Sequence, residues 1–210
     1  MIPGPPNAPG QSNTVTPASI FLRLKQSDPA PRELAWQQFY SRYAPLIAGY
    51  ARRRGATAQQ ADEVVQDVMS GFFAASPRFV YDPSRGRFRS YLRTCASRAV
   101  SQIHGAQLRA QDVPADEVAD EVVDERDEEL WQRLWQQDVL RRAIEIVREH
   151  YASHGKLHTF EAFELNVVKG LPAPDVARQL DVSVQSVHTA KNRVTEKIRA
   201  VRATLHDEEG

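Results

Sequence analysis

The stretch Leu171–Arg199, LPAPDVARQLDVSVQSVHTAKNRVTEKIR, reads as two helices joined by a tight turn. Pro174 suits a first helical turn, where its missing N–H would have no partner anyway. Val176, Ala177 and Leu180 then share one face. Asp181-Val182-Ser183 makes the turn, with Val182 as its apolar plug and Ser183 placed to cap the next helix. Asp181 stands where such turns often carry Gly, and Asp tolerates the left-handed conformation better than most residues. In the second helix Val184, Val187, Val194, Ile198 and Val201 recur at helical spacing. Gln185, Ser186, His188, Thr189, Asn192, Arg193 and Lys197 occupy the other face. Amides, hydroxyls and bases there are what a second helix needs to read base edges in a major groove. A helix-turn-helix that binds duplex DNA is one reading, and a helical hairpin with a solvated polar face is the other.

Upstream, helical patterning continues. A helix is expected from about Thr159 to Lys169, ended by Gly170 and Pro172, after a turn at His154-Gly155. Before it, Leu130, Leu134, Leu140, Ile144 and Val147 repeat at helical intervals. The acidic stretch 107–129 reads as a flexible linker. Phe88, Leu92, Cys95, Ala99 and Ile103 predict the buried side of another helix, with Arg89, Tyr91, Arg93, Thr94, Ser97, Arg98 and Ser101 on its surface. Thr57 and Gln60 form a capping box. The helix they open places Ala61, Val64, Val65, Val68, Phe72 and Phe73 inward and Asp62, Glu63, Gln66, Asp67 and Ser70 outward. A longer helix is expected from near Glu33, kinked or restarted at Pro45 and capped by Gly55. Asp28-Pro29-Ala30-Pro31 should break it from a short helix over 16–26 that buries Ile20, Phe21 and Leu24. Residues 1–15, rich in Pro and Gly, should be disordered. No sustained alternation of apolar and polar residues suggests a sheet. The expected class is all-α: two helical domains, 16–106 and 130–206, joined by the linker.

The formal net charge of zero hides strong blocks. Seven arginines from Arg78 to Arg109 face one acid, Asp82, whereas ten acids from Asp112 to Glu129 face one base, Arg126. Such segregation suggests separate anion-binding surfaces joined by a polyanion. The acids are then expected to compete with DNA for the arginines at 85–98 or for Arg193 and Lys197, against the simpler reading of a solvated spacer. Cys95 is the one cysteine, which rules out an internal disulfide or a cysteine zinc cluster. No apolar run is long enough for a bilayer, and no signal pattern opens the chain, so a cytoplasmic protein without membrane insertion is expected.

Catalytic signatures are missing: no phosphate-cradling glycine loop and no nucleophile elbow occur. The chain is read as a non-enzyme with no cofactor and no metal. His150, His154 and His158 are spaced four apart, but Gly155 interrupts any helix that would align them, so they read as solvated. The block Phe79–Arg98 is more informative. Phe79, Tyr81, Phe88 and Tyr91 alternate with arginines, pairing stacking surfaces with phosphate contacts as single-stranded DNA binding requires. Tyr81 and Tyr91 are the better exposed candidates; Phe88 also fits a core.

Taken together, ADEVVQDVMSGFFAASPRFVYDPSRGRFRSYLRT (61–94) resembles region 2 of the extracytoplasmic-function (ECF) sigma factors, initiation subunits of bacterial RNA polymerase of the sigma-70 class. The helix-turn-helix with AKNRV at Ala190–Val194 looks like region 4 of that family. The resemblance implies a transcription initiation factor acting with core RNA polymerase, through the β′ clamp region and β flap, on promoter DNA, with an anti-sigma protein as a further partner. It implies polymerase docking by Asp62, Glu63, Gln66 and Asp67. It implies capture of the melted −10 element by Tyr81, Arg85, Arg87, Arg89, Tyr91, Arg93 and Arg98. The −35 duplex would be read by Gln185, Ser186, His188, Thr189, Asn192, Arg193 and Lys197. The pattern departs from the family at Ser97, Arg98 and Gln102, where Arg, Asn and Asp are usual, and at Tyr91, where Trp is common. A stand-alone helix-turn-helix regulator and a sigma-like decoy without initiation activity are the alternatives.

Overall fold

A computed structural model describes residues 17–26, 28–76, 88–110 and 125–209. Among these the chain is helical throughout: α1 Pro17–Leu24, α2 Pro29–Arg53, α3 Ala58–Ala75, α4 Phe88–Ala110, α5 Glu125–Ser153, α6 Leu157–Phe163, α7 Ala173–Leu180 and α8 Val184–Glu209. The expected tail 1–15, the turn carrying Tyr81, Arg85 and Arg87, and the acids 112–124 lie outside the described residues.

Ile20, Phe21 and Leu24 of α1 are buried, as expected. Helix α2 begins at Pro29, four residues before the expected start. Asp28 is its N-cap, its carboxylate accepting from the Ala30 N–H at 3.2 Å. The two prolines do not break this helix, because the first turn has no intrahelical partners for its N–H groups to lose. Pro45 does not restart it either: α2 is continuous to Arg53. Phe39, Tyr43, Leu46, Ile47 and Tyr50 are buried on both sides of Pro45, and their packing offsets the lost hydrogen bond. Gly55, at φ +91°, ends α2 as expected, and the Ala56 N–H returns to the Ala51 carbonyl at 3.0 Å in a Schellman closure.

The capping box of α3 is formed in both directions: the Gln60 N–H donates to Thr57 Oγ1 at 3.3 Å, and the Thr57 N–H donates to Gln60 Oε1 at 2.9 Å. Ala61, Val64, Val65, Val68, Met69 and Phe72 are buried. Phe73, expected inside, is 41% exposed; it sits at the rim with Trp36 edge-on at 4.9 Å and the Arg32 guanidinium over its ring. Helix α4 buries Phe88, Leu92, Ala96, Ala99 and Val100, leaving Cys95 and Ile103 half-buried. Ser97, expected on the surface, is 4% exposed. A cluster of rings from four helices centres the core, with Phe39 stacked on Phe72 at 4.3 Å and Phe21 edge-on to Phe88 at 4.8 Å.

The stretch 107–129 is not all linker. Helix α4 runs on to Ala110, and α5 already begins at Glu125. The buried stripe of α5 is Trp131, Leu134, Trp135, Val139, Ala143 and Val147, whereas Leu140, expected inside, is 41% exposed. Both tryptophans face α2: Trp131 is edge-on to Tyr50 at 5.3 Å and Trp135 stacks with Tyr43 at 6.0 Å. One apolar cluster therefore joins α1–α4 with α5, α6 and α8, and a second, smaller one is built from Ala162 of α6, Leu165, α7 and the start of α8.

Helix α5 ends at Ser153 before Gly155, whose φ is +65°. The single helix expected over 159–169 is instead α6 followed by a π turn, Glu164–Val168. Asn166, inside the π turn, donates from Nδ2 to the Leu171 carbonyl at 2.8 Å and so ties the turn to the start of the next segment.

Candidate nucleic-acid interface

The two helices and the tight turn expected over 171–199 are present as α7, Asp181–Ser183 and α8. Asp181 holds φ 53°, ψ 48°, and its N–H reaches back to the Ala177 carbonyl. Ser183 caps α8, its Oγ accepting from the Ser186 N–H at 3.0 Å. Val176, Ala177, Val187, Ala190, Val194 and Ile198 are buried, while Leu180, Val182 and Val201 are half-buried. Val184, expected inward, is 40% exposed, because its place at the very start of α8 puts it beyond the reach of α7.

On the outer face of α8, Gln185, Ser186, His188, Asn192 and Arg193 are exposed. Thr189 is half-buried and donates to the Gln185 carbonyl at 2.9 Å, so its hydroxyl proton is committed to the helix. Ser186 Oγ lies 2.7 Å from Ser183 Oγ, which ties it to the cap. A cleft of about 290 Å³ opens between this face and α6, lined by Gln185, Ser186, Thr189 and Arg193 together with His158 and Thr159. His158, expected to be solvated, is exposed at the rim of this cleft, away from His150 and His154.

Lys197 is half-buried and faces the end of α5. Partial burial, and then the Lys197 ammonium, lower the His150 pKa below its ordinary value. His150 and His154 stack with ring centroids 4.2 Å apart, and His154 Nδ1 lies 2.7 Å from the His150 carbonyl oxygen. Among the described residues no group of three or more His, Cys, Asp or Glu is arranged to hold a metal.

On α4 the predicted residues fall in different settings. Arg98 is exposed, Arg89 is half-buried, and Tyr91 is 36% exposed beside Phe72 and Phe88. Burial, followed by the neighbouring Cys95, pushes the Tyr91 phenol up to about 12. The Tyr91 ring is therefore neutral at physiological pH, with one edge in the core and the other open. Arg93 is not open: its side chain is 17% exposed and ion-paired to Glu128 of α5. Next to this contact, Arg54 Nη1 donates to Asp127 Oδ1 at 2.7 Å, with the carboxylate 4% exposed. Tyr50 and Ser97 complete the pocket. Burial pushes the Tyr50 phenol up, against the neighbouring Ser97 side chain that lowers it, and the Asp127 carboxylate adds to the rise. Neither ion pair is legible in the sequence: Arg54 and Asp127 are 73 residues apart, and Arg93 and Glu128 are also far apart along the chain.

Helix α3 presents Asp62, Glu63, Gln66, Asp67 and Ser70 to solvent in one band. Gln59 Nε2 donates to Glu63 Oε1 at 3.2 Å. No described helix is long and apolar enough to cross a membrane.

Residues 39–112 match the family described as sigma-70 region 2. That range begins within α2 and includes α3 and α4. The chain is 30% identical over 84 residues to the ECF RNA polymerase sigma factor RpoE of Cereibacter sphaeroides. The alignment takes in 40% of this chain and 44% of that protein, so less than half of the relative's length is spanned. No solved structure matches.

Proposed function

We propose, from the premise that residues 39–112 form a sigma-70 region 2 domain, that this chain is a transcription initiation factor of the ECF type that directs core RNA polymerase to promoters. The observation that carries the reading is the family match itself, which falls on the helices bearing both the acidic band and the aromatic–arginine block. The acidic band of α3 (Asp62, Glu63, Gln66, Asp67) would dock on the β′ clamp region. Tyr91, Arg89, Arg93 and Arg98, with Tyr81, Arg85 and Arg87 from the preceding turn, would hold the melted −10 element. Stacking on a neutral tyrosine ring and charge contacts from arginine suit single-stranded bases.

The helix-turn-helix would read the −35 duplex. Gln185, Ser186, Thr189 and Arg193 are supported by their shared place along the cleft, His188 and Asn192 by their exposure on α8, and Lys197 would contribute charge from its edge. The β flap, an anti-sigma protein and a cytoplasmic setting belong to the same reading. So do the division into helical units 16–106 and 130–206 and the lack of any catalytic step. Ser97 bears on the departures from the family pattern. Being buried, it is a core substitution rather than a changed DNA contact, which leaves Tyr91, Arg98 and Gln102 as the exposed differences.

The test is to mix the purified chain with core polymerase and to ask for co-elution and for specific initiation on genomic fragments. Both are expected. Binding to duplex DNA without co-elution would make the chain a stand-alone helix-turn-helix regulator. Co-elution without initiation would make it a decoy.

A further inference from the structure

We propose that the first turns of α5 are an intramolecular latch, which fastens the C-terminal half of the chain to α2 and α4 and keeps Arg93 from nucleic acid. The part concerning Arg93 rests on the reading of α4 as a single-strand surface; the latch itself does not.

Helices α2 and α5 pair through one face of each, at residues spaced one or two turns apart. Along α2 and just past its end the sequence of partners is Tyr43, Tyr50 and Arg54; along α5 it is Trp135, Trp131 and Asp127. The pairing therefore runs antiparallel, with ring contacts at one end and an ion pair at the other. Asp127 is 3% exposed, a strongly committed position for a carboxylate. Burial of a carboxylate is tolerated only against a bonded cation, and Arg54 supplies it. Glu128, the next residue, reaches sideways to Arg93 on α4. So two consecutive acids engage two different helices of the N-terminal half, and α5 cannot leave without breaking both pairs.

The two contacts have different consequences. Asp127 with Arg54 is enclosed and sets the position of α5. Glu128 is about half exposed (49%), so this pair is the one that an incoming anion can contest. A phosphate needs the same guanidinium, and it must displace a carboxylate whose effective concentration is on the order of millimolar or more because it is tethered. The ten-acid stretch thus acts at its C-terminal end, through a built contact, rather than only as diffuse charge.

The 210-residue chain tests this in four forms: wild type, Glu128→Gln, Asp127→Asn and the charge-swapped pair Arg54→Asp with Asp127→Arg. Solution scattering reports the radius of gyration, and fluorescence anisotropy reports binding to labelled oligothymidine across a salt series. Glu128→Gln is expected to bind oligothymidine about three- to tenfold tighter at low salt, with the gain shrinking as salt rises. Asp127→Asn is expected to expand the particle. The charge-swapped pair Arg54→Asp with Asp127→Arg should restore the wild-type dimension, which separates a lost latch from lost folding. Glu128 is half exposed, so its variant stays folded even if Asp127→Asn does not. Unchanged affinity in Glu128→Gln, where the wild type binds measurably, overturns the masking of Arg93. An unchanged radius in folded Asp127→Asn overturns the latch. If no form binds oligothymidine while Asp127→Asn still expands, the latch holds and the single-strand reading of α4 falls.

Discussion

Asp181 is the one described residue other than glycine with positive φ, at 53°. For an L-residue the left-handed region costs roughly 1–2 kcal/mol, less for Asp, whose short carboxylate bonds locally. Asp181→Gly is therefore expected to leave stability unchanged or raise it by up to about 1 kcal/mol. Asp181→Val should lower it by about 1–2 kcal/mol, because a β-branched chain is excluded from that region. Urea unfolding of the two variants measures both. Arg193 poses a different question at the same scale. It is exposed on the cleft side of α8, free to reach either a base or a phosphate. Arg193→Ala should weaken duplex binding by about 1–3 kcal/mol if the contact is a bidentate base contact, and then only on the preferred sequence. An equal loss on all sequences would assign Arg193 to the phosphate backbone. Competition binding against scrambled duplexes decides between the two.

At the scale of the element, α3 buries one side and leaves a charged band on the other. Its capping box fixes the start, its apolar stripe is filled by Val64, Val65, Val68 and Phe72, and its acids are left on the far side. Because those acids face solvent, their charge can be reversed with little effect on folding, within about half a kcal/mol. The double variant Asp62→Lys, Asp67→Lys is expected to keep its helical circular dichroism and melting temperature while losing co-elution with core polymerase. A folded double variant that still co-elutes would remove α3 from the docking surface. The periodicity of α3 is strong enough to be read from sequence, apart from Phe73. That ring lies at the end of the stripe, where Trp36 and Arg32 cover one side of it only, and no spacing rule distinguishes the last covered position from the first uncovered one.

For the molecule as a whole, Trp131 and Trp135 connect what would otherwise be separate helical groups. Trp131 is 1% exposed and packs on Tyr50. Trp131→Ala should cost about 3–5 kcal/mol, through lost burial and an unfilled cavity. It should also split unfolding into two steps, since the apolar cluster that joins α5 to α2 is then cut. Thermal melts followed by far-ultraviolet circular dichroism and by Trp135 fluorescence would show the separation. A single coincident transition in the variant would mean that the remaining contacts suffice for cooperativity.

The sequence by itself determined the helical class, the helix-turn-helix with its left-handed Asp181 and Ser183 cap, the capping box of α3 and the outward acids. Each of these is encoded within a few residues: a cap bonds two or three positions along, and a stripe repeats every turn. The start of α2 was misjudged within the same range, because prolines that would break a helix interior are harmless in its first turn. What only the tertiary structure decided is which polar groups are taken out of solvent. Ser97 goes into the core, Arg93 is paired, and Asp127 is buried against Arg54. Local chemistry marks Asp127 and Glu128 as two more acids in a charged run. Their partners lie on α4 and just past the end of α2, and only the packing of Trp131 and Trp135 onto α2 brings them within reach.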